Sequence, residues 1–190
     1  EYRRQRQMCI RDSGYDRRFM AETFARKAAE AVQAAGFDVL LSQTYAPTPA
    51  FSLAAKQLNA LGALVMTASH NPAPYLGLKV KGAFGGSVSP DVTKQIEALL
   101  PNSPDSSGIG EKGNLEMFDP WPSYCETLRS KVDIEPIRAA ISANKITVFA
   151  DVMHGACSGG LAQVLGLPIT EINSDRDPLF DGGAPEPLPK

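Results

Sequence analysis

Short apolar segments alternate with helix-forming segments along most of this chain, and that alternation limits the fold more than any other feature. The segment "FMAETFARKAAEAVQAAG" has apolar residues at helical spacing and stops at Gly36, which predicts an amphipathic helix. The next segment, "FDVLLS", is a short apolar strand. We therefore expect an α/β fold with a layered sheet. The helix face predicted to pack on the sheet consists of Met20, Phe24, Ala28, Ala31, Val32 and Ala35.

The alternation continues through the middle of the chain. The loop "YAPTPA" places Pro49 in the first turn of a helix over residues 50–61. The segment "ALVMTAS" is then a buried strand that leads into the turn "HNP". Further on, Ser89 and Pro90 fit the N-cap and the first position of another helix.

A change of unit is expected after a segment over residues 101–114 that is dense in Pro, Ser and Gly and is predicted to be a surface loop. Two short helical patterns follow, and then the strand "KITVFADVM", the turn "HGACSGG", a helix that ends at Gly166 and the strand "PITEI". We predict one α/β domain over residues 14–130 and an incomplete second one over residues 131–190. Such a unit is expected to expose apolar side chains, namely Val148, Phe149 and Ile169.

The first thirteen residues, "EYRRQRQMCIRDS", break the pattern. They contain four arginines and little apolar material, and they predict neither a helix nor a strand. They resemble a translated sequencing-adapter read-through, so we expect a non-native segment that is left out of fold reasoning. On this interpretation the first domain begins at Gly14 and lacks its first strand.

Composition narrows the class of protein. The formal net charge of −2 gives no electrostatic reason to expect a nucleic-acid partner. No apolar run approaches the ~20 residues that cross a bilayer, so no membrane association is expected. Three cysteines, Cys9, Cys125 and Cys157, match neither a disulfide framework nor a paired metal spacing and predict free thiols. We expect a cytoplasmic protein, and the oligomeric state stays open.

The chemistry is concentrated in residues 64–82, "LVMTASHNPAPYLGLKVKG". In an open α/β sheet, ligands bind at the carboxyl ends of strands, which is where Ser69 and His70 are expected. A serine is a weak nucleophile unless a neighbour shares its proton or charge, and Lys79 and Lys81 offer the positive charge that a phosphoryl group requires. The alternative is that the serine and the asparagine only satisfy backbone groups in a turn.

At these residues the sequence resembles the α-D-phosphohexomutases, the phosphoglucomutase/phosphomannomutase family. "TASHNP" is similar to that family's phosphoserine loop, and "GYDRRF", "PTPA", "GLKVKG" and "DVMHGACSGG" occur in the family's order from Gly14 onward. The resemblance implies a three-layer αβα domain of the phosphohexomutase type plus the beginning of a second, similar domain. It also implies an isomerase that interconverts hexose 1-phosphate and hexose 6-phosphate through a phosphoserine and a bisphosphorylated sugar.

The same resemblance implies roles for individual residues. Ser69 is the phosphoryl donor and acceptor, and its phosphate also ligates Mg²⁺. Lys79 exchanges the proton of the sugar hydroxyl, and His70 places and stabilises the transferring group. Lys81 is expected to be a solvated lysine beside the strand. A glucose 1,6-bisphosphate-type activator is implied as well.

Two departures from the family's pattern matter. Leu76 stands where family members commonly have asparagine, which puts a polar contact in doubt. The acidic Asp-Gly-Asp loop that supplies the other Mg²⁺ ligands is expected just past Lys190. Because Mg²⁺ needs ~6 oxygen ligands, we expect an N-terminal fragment that is catalytically inactive by itself.

Other interpretations stay open. One is a non-catalytic module that binds sugar phosphates, and another is a phosphoserine hydrolase, although the sequence lacks the Gly-x-Ser-x-Gly elbow and clustered His/Asp ligands. The turn "HGACSGG" matches no phosphate-binding fingerprint, so we predict a structural role for it, with His154 as a turn residue and Asp151 as a structural aspartate. The sequence does not specify whether the hexose is glucose, mannose or glucosamine.

Overall fold

The computed structural model describes residues 10–100 and 111–187, the first two of them by their backbone alone. Cys9, most of the segment 1–13 and most of the predicted loop 101–114 lie outside the described residues. Among the helices in the described ranges, none is long and apolar enough to cross a membrane. These helices are α1 (Ala21–Ala34), α2 (Thr48–Gln57), α3 (Pro90–Leu99), α4 (Trp121–Lys131), α5 (Glu135–Ser142) and α6 (Gly160–Leu165), with a short 3₁₀ helix at Phe180–Gly182.

The described residues form a main sheet of five strands and a separate pair. The order in the main sheet is β4-β3-β1-β2-β5, in which β4 is antiparallel and the other four strands are parallel. Because β1, β2 and β3 run in one direction, their carboxyl ends meet at one edge of the sheet. The strands are β1 (Ile10–Tyr15), β2 (Asp38–Ser42), β3 (Gly62–Met66), β4 (Leu78–Gly82), β5 (Leu115–Phe118), and the parallel pair β6 (Phe149–Asp151) and β7 (Thr170–Ile172).

Helices cover both faces of the main sheet, which confirms the predicted α/β class. The cluster under α1 contains Val39, Leu41 and Met66, and the opposite cluster joins β3 to α2 and α4. The packing on that side is close, since a Cβ added at Gly14 of β1 would lie 2.4 Å from the Phe51 ring of α2. Cys125 is buried in the second cluster and Cys157 is exposed, and both are free thiols as predicted.

Helix α1 forms where it was predicted, and its predicted packing face is partly right, since Ala28 and Val32 pack against the core. Ala21, Ala25 and Ala29 are fully buried against the sheet, whereas Met20 is 39% exposed and Phe24 is 50% exposed. Small side chains let a helix approach a sheet closely, so the bulky residues lie to the side. Apolar periodicity alone therefore placed Met20 and Phe24 on this face wrongly and missed the buried alanines at its centre.

Strand β1 contradicts the prediction that the segment 1–13 forms neither a helix nor a strand. It is the central strand of the main sheet, paired with β2 and β3, and it includes the last residues of the segment 1–13. Asp12 and Ser13 are buried in it, and the Ser13 hydroxyl donates to the carbonyl oxygen of Ala25 at 3.1 Å. The polar sequence concealed this strand because its extended conformation depends on pairing with two neighbours rather than on local propensity.

The remaining elements differ from expectation mainly at their ends. Pro49 lies in the first turn of α2 and Ser89 is the N-cap residue of α3, both as predicted. Helix α2 ends at Gln57, earlier than the predicted residue 61, and the chain turns at Asn59 with φ of 51°. Strand β5 was not predicted, since four residues after a Gly-rich loop give little periodicity.

The second unit begins with β6 and β7, which form their own two-stranded sheet after residue 131. Helix α6 lies between them and ends at Gly166 with φ of 63°, as predicted. A Cβ at Gly160 would lie 2.6 Å from the Trp121 indole, so the glycine allows α6 to pack closely against α4. Phe149 is exposed as expected, while Val148 and Ile169 are half-buried.

Candidate active site

A cleft opens at the edge of the main sheet where β1, β2 and β3 end. Its volume is about 290 Å³. Backbone hydrogen bonds join the three connecting loops: Asp16 N–H donates to the carbonyl of Met66 at 3.1 Å, and Ala46 N–H donates to the carbonyl of Tyr15 at 3.3 Å. This is the edge at which open α/β sheets bind ligands. The lining residues from these loops are Asp16, Arg17, Pro47, Thr48, Thr67, Ser69 and His70.

Ser69 and His70 lie on the wall of this cleft and are exposed. Ser69 has φ of 56°, in the left-handed region that non-glycine residues seldom occupy. Its backbone N–H donates to the Thr67 hydroxyl at 3.0 Å. Among the described residues none hydrogen-bonds the Ser69 hydroxyl, so the backbone is held while the side-chain oxygen is left open to the cleft.

Arg18 holds the loop that carries Ser69 through hydrogen bonds from its side chain to the loop backbone. Its side chain is buried, and it binds inward-facing carbonyl oxygens of that loop. Nη1 donates to Pro72 at 3.1 Å and to Tyr75 at 3.0 Å, and Nη2 donates to Ser69 at 2.9 Å and to Asn71. A rigid planar guanidinium with five N–H donors is suited to this task, because one side chain fixes four peptide groups.

A half-buried carboxyl, that of Asp16, accompanies Arg18. The Arg18 backbone N–H donates to Asp16 Oδ1 at 3.0 Å, and Nε lies 3.6 Å from Oδ2, which is an ion pair rather than a hydrogen bond. Burial raises the pKa of Asp16 against the opposing effects of a hydrogen bond with Thr67 and of the charges on Arg18 and Lys79. Burial likewise lowers the pKa of Arg18. The two groups therefore compensate each other's charge inside the protein.

The two lysines do not lie on the cleft wall. Lys79 pairs with Val65 across β4 and β3, is half-buried, and is not among the described residues that line the cleft. Its charge is still close enough to Asp16 to lower that carboxyl's pKa. Lys81 is buried, with Nζ donating to the Ser87 hydroxyl at 2.9 Å, and burial lowers its pKa. The expectation of a solvated Lys81 is therefore wrong.

The segment after β7, residues 173–187, folds back across the cleft. Arg176 donates from Nε to the Arg17 carbonyl at 3.2 Å and from Nη2 to the Arg18 carbonyl at 3.0 Å. It also pairs with both carboxylate oxygens of Glu22. The ring of Phe180 lies 4.9 Å from the Arg18 guanidinium carbon. The beginning of the second unit is thus attached directly to the loop after β1.

Comparison with known proteins decides the family. Residues 13–106 match the family model for phosphoglucomutase/phosphomannomutase, alpha/beta/alpha domain I. A phosphoglucosamine/phosphogalactosamine mutase of Sulfurisphaera tokodaii is 37% identical over 147 residues, which cover 75% of this chain and 32% of that protein. A phosphoglucomutase/phosphomannomutase of Thermococcus kodakarensis is 30% identical over 178 residues, 92% of this chain and 38% of that protein. The chain belongs to the phosphohexomutase family.

A solved structure extends the match to the fold. The crystal structure from Thermus thermophilus reported under the name phosphomannomutase superposes with a TM-score of 0.82 at 34% identity, covering 97% of this chain and 41% of that chain. The predicted family and the predicted αβα fold class are confirmed. The chain spans about a third of the length of the curated phosphohexomutases named here, 32% of one and 38% of the other.

The family's pattern gives Leu76 its meaning. Leu76 packs against the apolar cluster between α1 and the sheet. The side chain contributes apolar contact at the end of the Ser69 loop, and it has no polar group to offer a ligand. The doubt raised by this departure therefore stands for any polar contact from Leu76.

Arg17 and Arg18 are site residues that the sequence did not reveal. Both belong to the "GYDRRF" motif and directly follow β1, the parallel neighbour of the strand that leads to Ser69. Two adjacent arginines after such a strand would have been a signal. It was lost because β1 was not recognised, so the position of the motif in the sheet was unknown.

The Gly-rich turn between β6 and α6 is filled by the protein's own groups. Gly159 N–H donates to both carboxylate oxygens of Glu171, at 2.8 and 3.0 Å. Nδ1 of His154 lies 3.0 Å from the Asp175 carbonyl oxygen, and His154 has φ of 57°. Asp151 accepts from the backbone of Met153 and from the side chain of Asn173. These contacts satisfy polar groups of the turn, but Val152, Met153, Gly155 and Ala156 also line the cleft that Ser69 lines, so the structural role stays a prediction.

Metal ligands are scarce in the part of the chain that the structure describes. Within residues 10–100 and 111–187, no three His, Cys, Asp or Glu side chains are grouped so that they could hold a metal ion. Asp16 lies in the cleft, but its carboxyl is paired with Arg18. Since Mg²⁺ requires about six oxygen ligands, the described residues alone do not provide a Mg²⁺ site.

Proposed function

We propose that the protein to which this chain belongs is a phosphohexomutase that interconverts hexose 1-phosphate and hexose 6-phosphate through a phosphoserine at Ser69. The observation that carries the proposal is the presentation of Ser69. Ser69 is exposed and lines the cleft at the carboxyl edge of the sheet, while its carbonyl and three neighbouring ones are bound by Arg18. A serine held in this way can accept a phosphoryl group without a rearrangement of its loop.

In the proposed reaction a sugar hydroxyl attacks the phosphorus carried by Ser69. The bond between phosphorus and Ser69 Oγ breaks as the bond to the sugar oxygen forms, and Oγ gains a proton to balance the one that the hydroxyl loses. The family resemblance implies Lys79 for this proton exchange, although Lys79 is half-buried in β4 and does not lie on the cleft wall, and it implies His70 for positioning the transferring group. The bisphosphate then turns around and returns its other phosphate to Ser69. Such transfers depend mostly on positioning and charge neutralisation.

The cofactors belong to the same proposal. Mg²⁺ would be ligated by the phosphate on Ser69, with the other ligands supplied by an acidic loop outside this chain. A glucose 1,6-bisphosphate-type compound would load the serine. Because the described residues do not complete a Mg²⁺ site, we expect the 190-residue chain by itself to show no mutase turnover.

The test is the covalent state of Ser69. The protein extended to the length of its relatives is incubated with glucose 1,6-bisphosphate and Mg²⁺, and phosphate is mapped by intact mass and peptide analysis. We expect a single phosphate on Ser69 that is lost when hexose monophosphate is added. Ser69→Ala should abolish the adduct, and the control Ser130→Ala, which removes an exposed hydroxyl on α4, should not. An unmodified Ser69 would overturn the mutase proposal, and turnover by the 190-residue chain would overturn its expected inactivity.

A non-catalytic sugar-phosphate-binding module is the second candidate. It is favoured by the scarcity of metal ligands within the described ranges. The same experiment separates the two, because a binding module would bind hexose phosphate and leave Ser69 unmodified.

A further inference from the structure

Arg17 is a buried cation on the wall of the cleft. It is 7% exposed and lines the cleft together with Ser69 and His70. Among the described residues that line this cleft, no other is an arginine or a lysine. The neighbouring Arg18 is already occupied by carbonyl groups, and Lys81 by Ser87. Any positive charge from an arginine or lysine at the cleft surface therefore comes from Arg17.

The guanidinium of Arg17 is fixed in place from two sides. Its Nη1 donates to the carbonyl oxygen of Ser174 at 2.7 Å. Its central carbon lies 4.8 Å from the centroid of the Tyr45 ring, which is the geometry of a cation–π contact. These two partners come from the loop after β2 and the segment after β7. The orientation of the Arg17 guanidinium is thus fixed before any ligand binds.

The hydrogen-bonding capacity of Arg17 is incompletely used. Its Nε is buried and has no acceptor among the described residues. Within residues 10–100 and 111–187, no ion pair joins Arg17 to a carboxylate. A buried charge without a counter-charge is unfavourable, and a buried donor without an acceptor adds to that cost. An anion with several oxygen acceptors in the cleft would supply the missing counter-charge.

We propose that the Arg17 guanidinium binds a phosphoryl oxygen in the cleft beside Ser69. Arginine binds phosphate through parallel N–H donors, and the fixed orientation lowers the entropy lost on binding. The phosphoryl group has two sources, a bound hexose phosphate or phosphorylated Ser69 itself. The second source rests on the proposed function, whereas the first requires only that the cleft bind sugar phosphates.

The first arm of the test measures ligand phosphate on the 190-residue chain. Glucose 6-phosphate and inorganic phosphate are titrated calorimetrically into the wild type, Arg17→Ala and Arg17→Lys. We expect at least a tenfold loss of affinity in Arg17→Ala and a smaller loss in Arg17→Lys, which keeps the charge without the fork. The control Arg138→Ala removes an arginine that pairs within its own helix and should bind as the wild type does. Circular dichroism checks that each variant is folded, and the lysine variant serves if the alanine variant is not.

The second arm measures phosphate on the serine. In the extended protein, ³¹P NMR follows the titration of phosphorylated Ser69. A nearby cation lowers the second pKa of a phosphate, so Arg17→Ala, which removes the charge, should raise that pKa. Arg17→Lys keeps a charge and should raise it less. If the first arm responds to Arg17 also in a Ser69→Ala background, the contact is to ligand phosphate. If only the second arm responds, the contact is to the phosphoserine.

The outcomes separate this proposal from the proposed function. If Ser69 never takes phosphate while glucose 6-phosphate binding still depends on Arg17, the mutase proposal fails and the role of Arg17 stands. If Ser69 takes phosphate and neither arm responds to Arg17, the role of Arg17 is overturned alone. The role of Arg17 would also be overturned if the wild type bound neither glucose 6-phosphate nor inorganic phosphate and carried no phosphate on Ser69.

Discussion

Asp12 lies in the middle of β1 and Asp16 lies just past its end, and the two carboxyl groups differ in whether they have hydrogen-bond and charge partners. Asp12 is fully buried in the middle of the sheet, and neither of its carboxyl oxygens has a hydrogen-bond partner among the described residues. Burial raises its pKa to about 7. Asp16 is half-buried on the cleft wall, and it accepts from the backbone of Arg18, pairs with the Arg18 side chain and interacts with Thr67.

The difference shows where the fold provides for polar groups. At the carboxyl edge, loops from three strands bring donors and a counter-charge to the Asp16 carboxyl, although the buried Nε of Arg17 has no acceptor among the described residues. In the body of the sheet, the backbone groups bond to one another and the neighbours are apolar, so a carboxyl has nothing to bond to. Asp12 therefore has no place in the site chemistry, and Asp16 does. Glu171 follows the same rule, since it ends beside the Gly159 N–H.

The largest expected effect comes from removing the unpartnered acid. Above pH 7, Asp12→Val should raise the free energy of unfolding by about 4 kcal/mol. This figure is the rise in the pKa of Asp12, from 3.8 to about 7, converted to free energy. The sign follows from linkage: below pH 3.8 both states are protonated, and between 3.8 and about 7 the unfolded state ionises first. Stability of the unmodified chain should therefore fall as pH rises through that window. Urea unfolding measured from pH 3.5 to 8 checks this.

Asp12→Asn is the matched variant for this comparison. It keeps the shape and an unsatisfied polar group but cannot ionise, so it should remove the pH dependence while gaining less stability than the valine variant. If the slope between pH 4 and 7 persists in both variants, another group carries it and the contrast with Asp16 is wrong.

The second prediction concerns the loss of the Arg18 side chain, which would leave the Asp16 carboxyl without its charge partner, as the Asp12 carboxyl is. Arg18→Ala would leave the Asp16 carboxyl and four loop carbonyls without their donor, and breaking a buried pair in this way costs about 3 kcal/mol or more. The loss should be smaller at low pH, where Asp16 is neutral. Urea unfolding below pH 3.8, the ordinary aspartate pKa that Asp16 exceeds, and at pH 8 measures it, with Arg138→Ala as the control for removing a surface arginine. Equal stability of the two variants would show that the Ser69 loop does not depend on Arg18.

The comparison also explains what the sequence could predict. Helices α1 and α2 and strands β2 and β3 were predicted because caps, prolines and apolar spacing are local signals. Strand β1 was not, because Asp12 and Ser13 are polar and the strand depends on neighbours distant in sequence. The motif around Ser69 was recognised from six letters. The group that holds it, Arg18, lies 51 positions away and could not be paired with it by spacing.

The smallest effect concerns a partnered acid at the surface. Glu22 and Arg176 join α1 to the segment after β7 with a 2.8 Å ion pair, and each side chain is 41% exposed. The hydrogen bond from Arg176 lowers the pKa of Glu22, so the pair stabilises the fold above the ordinary glutamate pKa and is lost as pH falls through the lowered value. Solvent screens such pairs, and Glu22→Gln should cost only about 0.5 kcal/mol, less in high salt.

Hydrogen exchange tests where that small effect is located. Because Arg176 also binds the Arg17 and Arg18 carbonyls, Glu22→Gln should speed exchange in residues 173–187 without changing the exchange of β1. Glu30→Gln is the matched control, since Glu30 pairs with Lys27 inside α1 and joins no second segment. A loss above about 2 kcal/mol in Glu22→Gln would exceed what exposed pairs contribute. Such a loss would mean that hydrogen-bond and charge partners, rather than burial, determine how much a carboxyl side chain contributes to the free energy of unfolding. The contrast between Asp12 and Asp16 would then be explained by their hydrogen bonds alone.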